Sequence, residues 1–196
     1  MSTIPLPPAP GAAEHVSLAL VDSAVTLPGE HADELGSPAE ATAWLIAHDL
    51  APEQTALLPY CQSRLTGLRA ELRALFAAQV DGETPPQRAL DGINRALASA
   101  SGAPLLRHDA DRGLHRAATH PVTKLVEHAM AEIAEDAAAL LTGDEAARLA
   151  RCEAQPCDRF LLRTHGRRQW CSTRCGDRVR AARAYARKQE RLSTTA

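Results

Sequence analysis

Residues 152–175 read CEAQPCDRFLLRTHGRRQWCSTRC, four cysteines in the spacing C-x4-C-x13-C-x3-C. Two close pairs on separate turns suit the tetrahedral corners of a zinc ion, which prefers soft ligands. Cys152, Cys157, Cys171 and Cys175 are therefore expected to hold one Zn2+. Four thiolates close the coordination sphere and leave no position for water or substrate, so the metal is structural. Two disulfides, or four buried free thiols, are the alternatives. The chain starts without the basic stretch and apolar run of a signal peptide, so a cytoplasmic location is expected. In a reducing compartment, close cysteine pairs read as metal ligands before disulfides. His165 is a substitute ligand for which four cysteines leave little room.

Local sequence around the cysteines suggests the shape of the module. Phe160-Leu161-Leu162 reads as a short strand, Gly166 allows a turn, and Gln169-Trp170 returns the chain to the second pair. Cys175-Gly176 opens a helix. A knuckle, a β-hairpin and a basic helix make a treble-clef-like arrangement. From Ser172 the chain reads STRCGDRVRAARAYARKQERL. At helical spacing Val179, Ala182 and Ala186 share a face, expected to pack on the zinc core. Arg180, Arg183, Arg187 and Arg191 follow an adjacent face, Arg178 flanks the other side of the apolar stripe, and Arg163, Arg167 and Arg168 add charge from the hairpin.

Charge divides the chain in two. The formal net charge is −2, yet residues 148–196 hold 13 basic residues against four acids, a surplus of +9 that leaves −11 on the remainder. A basic module on an acidic body points to an anionic partner. Arginine fits phosphate and guanine edges through its planar fork, so DNA is the first expectation. RNA or an acidic protein surface, including this chain's own body, stays open, as does a homodimer.

Upstream, composition favours helices: 45% of residues are hydrophobic, only 3% are aromatic, and Ala and Leu supply most of the apolar surface. Residues 1–13, with four prolines, read as a flexible leader. Ser17–Val25 is apolar and is either a strand or a turn of helix. Ser37-Pro38-Ala39-Glu40 is a capping box opening a helix that turns Trp44 and Leu45 inward. Cys61, Leu65, Leu68, Leu72 and Leu75 make one stripe of a long helix over 59–80, with Cys61 read as a small buried hydrophobe. Thr84-Pro85-Pro86-Gln87 opens another helix, with Leu90, Ile93, Asn94 and Leu97 on one side. Residues 104–119 suggest a hairpin around Asp109-Ala110-Asp111-Arg112-Gly113. A helix after Pro121 buries Leu125, Ala129, Ile133 and Leu140, and a short one over 145–150 leads into Cys152.

These motifs together resemble a known family. Trp170-Cys171-Ser172, then Cys175-Gly176-Asp177-Arg178 and a basic helix, are similar to the CGNR zinc finger of bacterial proteins, which follows an N-terminal region called the ABATE domain. Leu18-Ala19-Leu20-Val21-Asp22-Ser23 resembles that region's opening segment, Leu68–Leu75 its arginine-bearing helix, and Ile93-Asn94 the next helix. Asp177 stands in place of the Asn of the finger's name, which puts an acid near the proposed DNA surface. The resemblance implies a stress-induced transcription regulator whose finger binds DNA and whose N-terminal domain senses a ligand or dimerises.

The expected organisation is thus a leader over 1–13, a mainly helical α+β domain with a small hairpin over 14–147, and the finger over 148–192. Arg69 and Arg73, one turn apart, with Asn94 on the next helix, are candidates for an anionic ligand, or else pair internally with this body's acids. No phosphate loop, nucleophile elbow or HExxH motif occurs, so an enzyme is unsupported.

Overall fold

The computed structural model describes residues 7–99, 105–109, 113–117 and 124–194. The turn predicted around 110–112 lies outside them. The first apolar run divides between two elements, helix α1 (Val16–Asp22) and strand β1 (Ala24–Leu27). β1 pairs antiparallel with β2 (Glu30–Asp33) through the two-residue turn Pro28-Gly29. Helix α2 (Pro38–Ala47) starts as its capping box predicts. Ser37 accepts the Glu40 amide and donates its hydroxyl to the Glu40 carboxylate at 2.7 Å.

Helix α3 (Pro59–Asp81) is the central element, and Leu65, Leu68, Leu72, Leu75 and Phe76 form its buried stripe. It stops at Gly82, whose φ of 69° is open to glycine at no steric cost. Helix α4 (Gln87–Ser99) and helix α5 (Leu125–Thr142) pack against it and against each other. α4 is rotated from the predicted face. Ala89, Gly92, Ile93 and Ala96 are buried, Leu90 and Leu97 are half-buried, and Asn94 is exposed. Gly92 is covered by the Glu71 side chain, whose carboxyl group occupies the space a Cβ would need, while Leu90 and Leu97 pack at the edge of the core. The predicted hairpin is present as β3 (Leu105–Asp109) paired with β4 (Gly113–Ala117).

After α5 the chain departs from the predicted short helix. Residues Asp144–Arg148 form a 3-10 turn, and Leu149–Arg151 is a strand, β5. It pairs antiparallel with β6 (Phe160–Leu162) in the register Leu149↔Leu162 and Arg151↔Phe160. The hairpin therefore brackets the first cysteine pair rather than lying between the two pairs. Helix α6 (Thr173–Thr194) closes the chain.

Two apolar clusters result. The larger joins α1 to α5 and takes in Leu149, Phe160 and Leu162 from the C-terminal hairpin. The smaller surrounds the four cysteines and takes in Val25 and Leu27 from β1 and Ala9 from the leader. Part of the described leader is packed: Leu162 donates its amide to Pro10 O at 2.8 Å, and Ala9 is 2% exposed. Among the described residues no helix is long and apolar enough to cross a membrane.

Candidate metal centre and basic helix

The first cysteine pair sits on the connection between β5 and β6. Cys152 donates its amide to Arg159 O at 2.8 Å, and Cys157 donates to Ala154 O at 2.9 Å, which folds residues 152–157 into a tight knuckle. The second pair is placed by the start of α6, where the Ser172 hydroxyl accepts the Cys175 amide at 3.3 Å. The four Sγ atoms all lie within 4.8 Å of one another, and every one of these cysteines is buried.

The geometry fits zinc. Cys157 Sγ is 3.8 Å from Cys171 Sγ, and Cys171 Sγ is 3.7 Å from Cys175 Sγ. A tetrahedron with Zn–S bonds of about 2.3 Å has edges of about 3.8 Å. These separations are far longer than a disulfide bond, about 2.05 Å. The crowding also creates an electrostatic need. The crowded thiols of Cys157 and Cys171, with the Cys171 amide donating to its sulfur at 3.4 Å, hold the Cys152 thiol well below its ordinary value. Bonding to Cys152 pushes Cys157 up and Cys171 up to about 12. Four thiolates this close repel one another unless a dication neutralises their charge. Bound zinc would crosslink the knuckle to α6; it has no open position for chemistry.

The site carries its own supporting contacts. Arg178, on the first turns of α6, donates to Ala154 O and, at 3.3 Å, to Gln155 O, which staples the helix to the knuckle. Gly176 lies under Trp170: a Cβ there would sit 2.9 Å from the Trp170 ring, so the close approach needs glycine. Arg180 stacks over the other part of this arrangement, its guanidinium 5.5 Å from the Trp170 ring centroid.

The chain matches two family profiles: the ABATE family, described as "putative stress-induced transcription regulator", over residues 14–144, and the CGNR zinc finger over residues 148–188. The first covers more than half of the chain. The chain belongs to the ABATE family. No curated protein matches it. This ABATE protein thus carries a four-cysteine zinc site in a CGNR finger.

The remaining predicted residues separate into two groups. Arg69 and Arg73 face inward. Arg69 reaches both oxygens of Asp33, at 2.6 and 2.8 Å, and the Ser23 hydroxyl at 2.9 Å. Arg73 donates to Val21 O and Asp158 O, each at 2.8 Å. Both are engaged by the protein itself, while Asn94 is exposed on α4. On the finger, Arg178 is spent on the knuckle, and Arg180 pairs with Asp177 at 2.6 Å. Arg168 donates to Trp170 O at 3.2 Å. Arg167, Arg183, Arg187 and Arg191 are exposed. Among the described residues Arg167, Arg183 and Arg187 have no ion-pair partner.

One prediction for α6 is corrected. Val179 is half-buried, but Ala182 and Ala186 are exposed along with every residue from 180 to 193. The helix packs on the zinc core only through its first two turns, because the small module has no further surface to cover it. Residue Arg159 was not singled out by sequence. It is 5% exposed and donates to Asp22, a buried carboxylate, at 3.2 Å. Only an arginine between the cysteine pairs hinted at it, and its partner is 137 positions away.

Proposed function

We propose that this ABATE protein is a cytoplasmic, non-enzymatic transcription regulator whose finger grips DNA through the projecting part of α6, while the N-terminal domain senses a ligand or dimerises. The observation that supports this reading is the exposed helix. Fourteen residues, 181–194, extend about 21 Å beyond the packed module at about 1.5 Å per residue. An isolated helix of that length is marginal in water, so a partner surface would stabilise it. Arg183 and Arg187 lie one turn apart on it, with Lys188 beside them, and all three are exposed.

A shallow cleft continues this basic surface. It is lined by Arg167, Arg168, Trp170, Thr173 and Arg180 at the amino end of α6, where the helix dipole favours negative charge. A backbone phosphate seated there would orient the helix across a groove. Asp177 is drawn off by Arg180, which reduces its repulsion of that phosphate.

Binding of the zinc-loaded full chain to duplex DNA over a salt series tests the proposal. Affinity is expected to fall steeply with salt, by about 0.9 logarithmic units per phosphate contact. Replacing Arg180, Arg183 and Arg187 with alanine should make that slope shallower by about 2 to 3. An unchanged slope would remove this helix as the contact surface. Stronger binding to structured RNA, or binding to neither nucleic acid, would favour the RNA or protein-interaction alternative.

A further inference from the structure

A cavity of about 510 Å3 opens between α1, the leader and the end of α2. Its size falls within the about 300–1,000 Å3 typical of small-molecule sites. One wall is apolar and made of small residues, Ala12, Val16, Ala19 and Ala47 among them. Charged residues gather on the rest. Asp22 and Arg159, 8% and 5% exposed, are its most buried charges. Glu14, Glu34 and Asp49 stand exposed at its mouth.

The balance of those charges gives the chemistry of an occupant. Arg159 is committed within the protein, its Nε to Asp22 Oδ2 at 3.2 Å and its Nη1 to Pro7 O at 3.0 Å. Asp22 also accepts the Phe160 amide on Oδ1 at 2.8 Å, and burial raises its carboxyl to about 7 against the pull of Arg159, so its negative charge is complete only with a further cation beside it. Asp136 is engaged by His15 at 2.9 Å and by Ser17. Among the described residues Glu14, Glu34 and Asp49 have no side-chain ion pair or hydrogen bond; burial raises Glu34, and the Arg159 and Arg69 guanidinium groups offset its charge only from a distance. Burial lowers His48, so that lining imidazole supplies no compensating charge at neutral pH.

The end of α2 adds to the negative field. Its last carbonyls carry the negative pole of the helix dipole, where a carboxylate is the least favourable charge. Asp49 is nevertheless there, at φ 58°, a backbone conformation where glycine is the cheaper residue.

We propose that this cavity binds a small organic cation with an apolar stem, an alkylamine or alkylguanidine. The stem lies on the alanine wall, and the cationic head sits among Asp22, Glu34 and Asp49. The inference rests on the sensing half of the proposed function and is independent of the DNA contact.

Calorimetric titration of the zinc-loaded full chain, without DNA, tests it. The probes are butylamine and agmatine, with 1,4-butanediol and glutarate as neutral and anionic controls. Saturable binding of the cationic probes alone is expected, about tenfold weaker in Glu34→Gln. Ala19→Leu, which fills the cavity from α1, should abolish it with zinc content and far-ultraviolet circular dichroism unchanged. Should that variant misfold, Glu34→Gln decides alone. Absence of binding, equal binding of the controls, or wild-type affinity in Glu34→Gln would each overturn the assignment. Because no nucleic acid is present, failure here is distinct from failure of DNA binding.

Discussion

Arg69 rises from the buried stripe of α3 and spends its fork on Asp33, the last residue of β2. The pair ties the first hairpin to the central helix, and the Ser23 hydroxyl completes it. Removing the guanidinium leaves a partly buried carboxylate without its donor. Arg69→Met should therefore cost about 2 kcal/mol of stability at pH 7. The hydrogen bonds from Arg69 hold Asp33 below the ordinary value of 3.8. Their contribution is present above that ordinary value and is lost as pH falls through the lower folded one. Urea unfolding at pH 7 and below pH 3 checks this: the gap between wild type and variant should narrow in acid, and a constant gap would contradict the linkage. Cys171 offers a second test at this scale, since its sulfur has two others at 3.7 and 3.8 Å. Cys171→Ser should abolish stoichiometric zinc, measured by elemental analysis, and full retention would refute the ligand set.

α6 changes its role along its length. Its first two turns carry Cys175, Gly176 and Arg178 and belong to the zinc module; from residue 181 onward every described position to 193 is exposed. A chain ending at Arg180 should keep its zinc and its melting temperature within about 2 °C, since exposed helix contributes little to the core. The same chain should lose most of its affinity for DNA in a filter-binding or anisotropy assay, and undiminished affinity would place the contact elsewhere. Elements of this protein were legible in sequence to unequal degrees. The cysteines, the capping box at Ser37 and the stripe of α3 were readable because their determinants lie within a few residues. β5 was not, because three residues cannot show a period, and its strand character comes from pairing with β6. The face of α4 was legible only in part: Ile93, Leu90 and Leu97 do meet the core, but the burial of Gly92 depends on Glu71 from α3, more than twenty positions away. The outward course of α6 was hidden for the opposite reason, as Ala182 and Ala186 look apolar but meet no surface.

At the scale of the whole molecule, the finger and the acidic body form one packed unit, and opposite charge helps to join them. Arg73 meets Asp158 at 3.1 Å, Arg151 meets Asp81 at 2.9 Å, and Arg174 meets Glu30 at 3.5 Å. Docking thus uses the hairpin, the knuckle and the first turn of α6, and it leaves Arg183 and Arg187 farther along the helix unmasked. Phe160 anchors the joint: it lies edge-on to Phe76 at 5.8 Å, with the guanidinium groups of Arg73 and Arg151 each 5.6 Å from its ring. Thr26 on β1 also donates its amide to Asp158 at 2.9 Å, beside the second cysteine. Apart from Arg151 with Phe160, which face each other across one hairpin, none of these contacts was visible in sequence, because the partners lie 70 or more positions apart. Their consequence is that zinc holds more than the finger. A metal that binds only the folded chain stabilises everything folded with it. Chelation should lower the melting temperature of the whole protein by at least about 10 °C, given about 2–4 °C per kcal/mol at this size. Helical signal from α1 to α5 and near-ultraviolet signal from Trp170 should then fall in one transition. If the helical body instead melts at its original temperature after zinc is withdrawn, the two regions are separate cooperative units, and the shared core around Phe160 does not couple them.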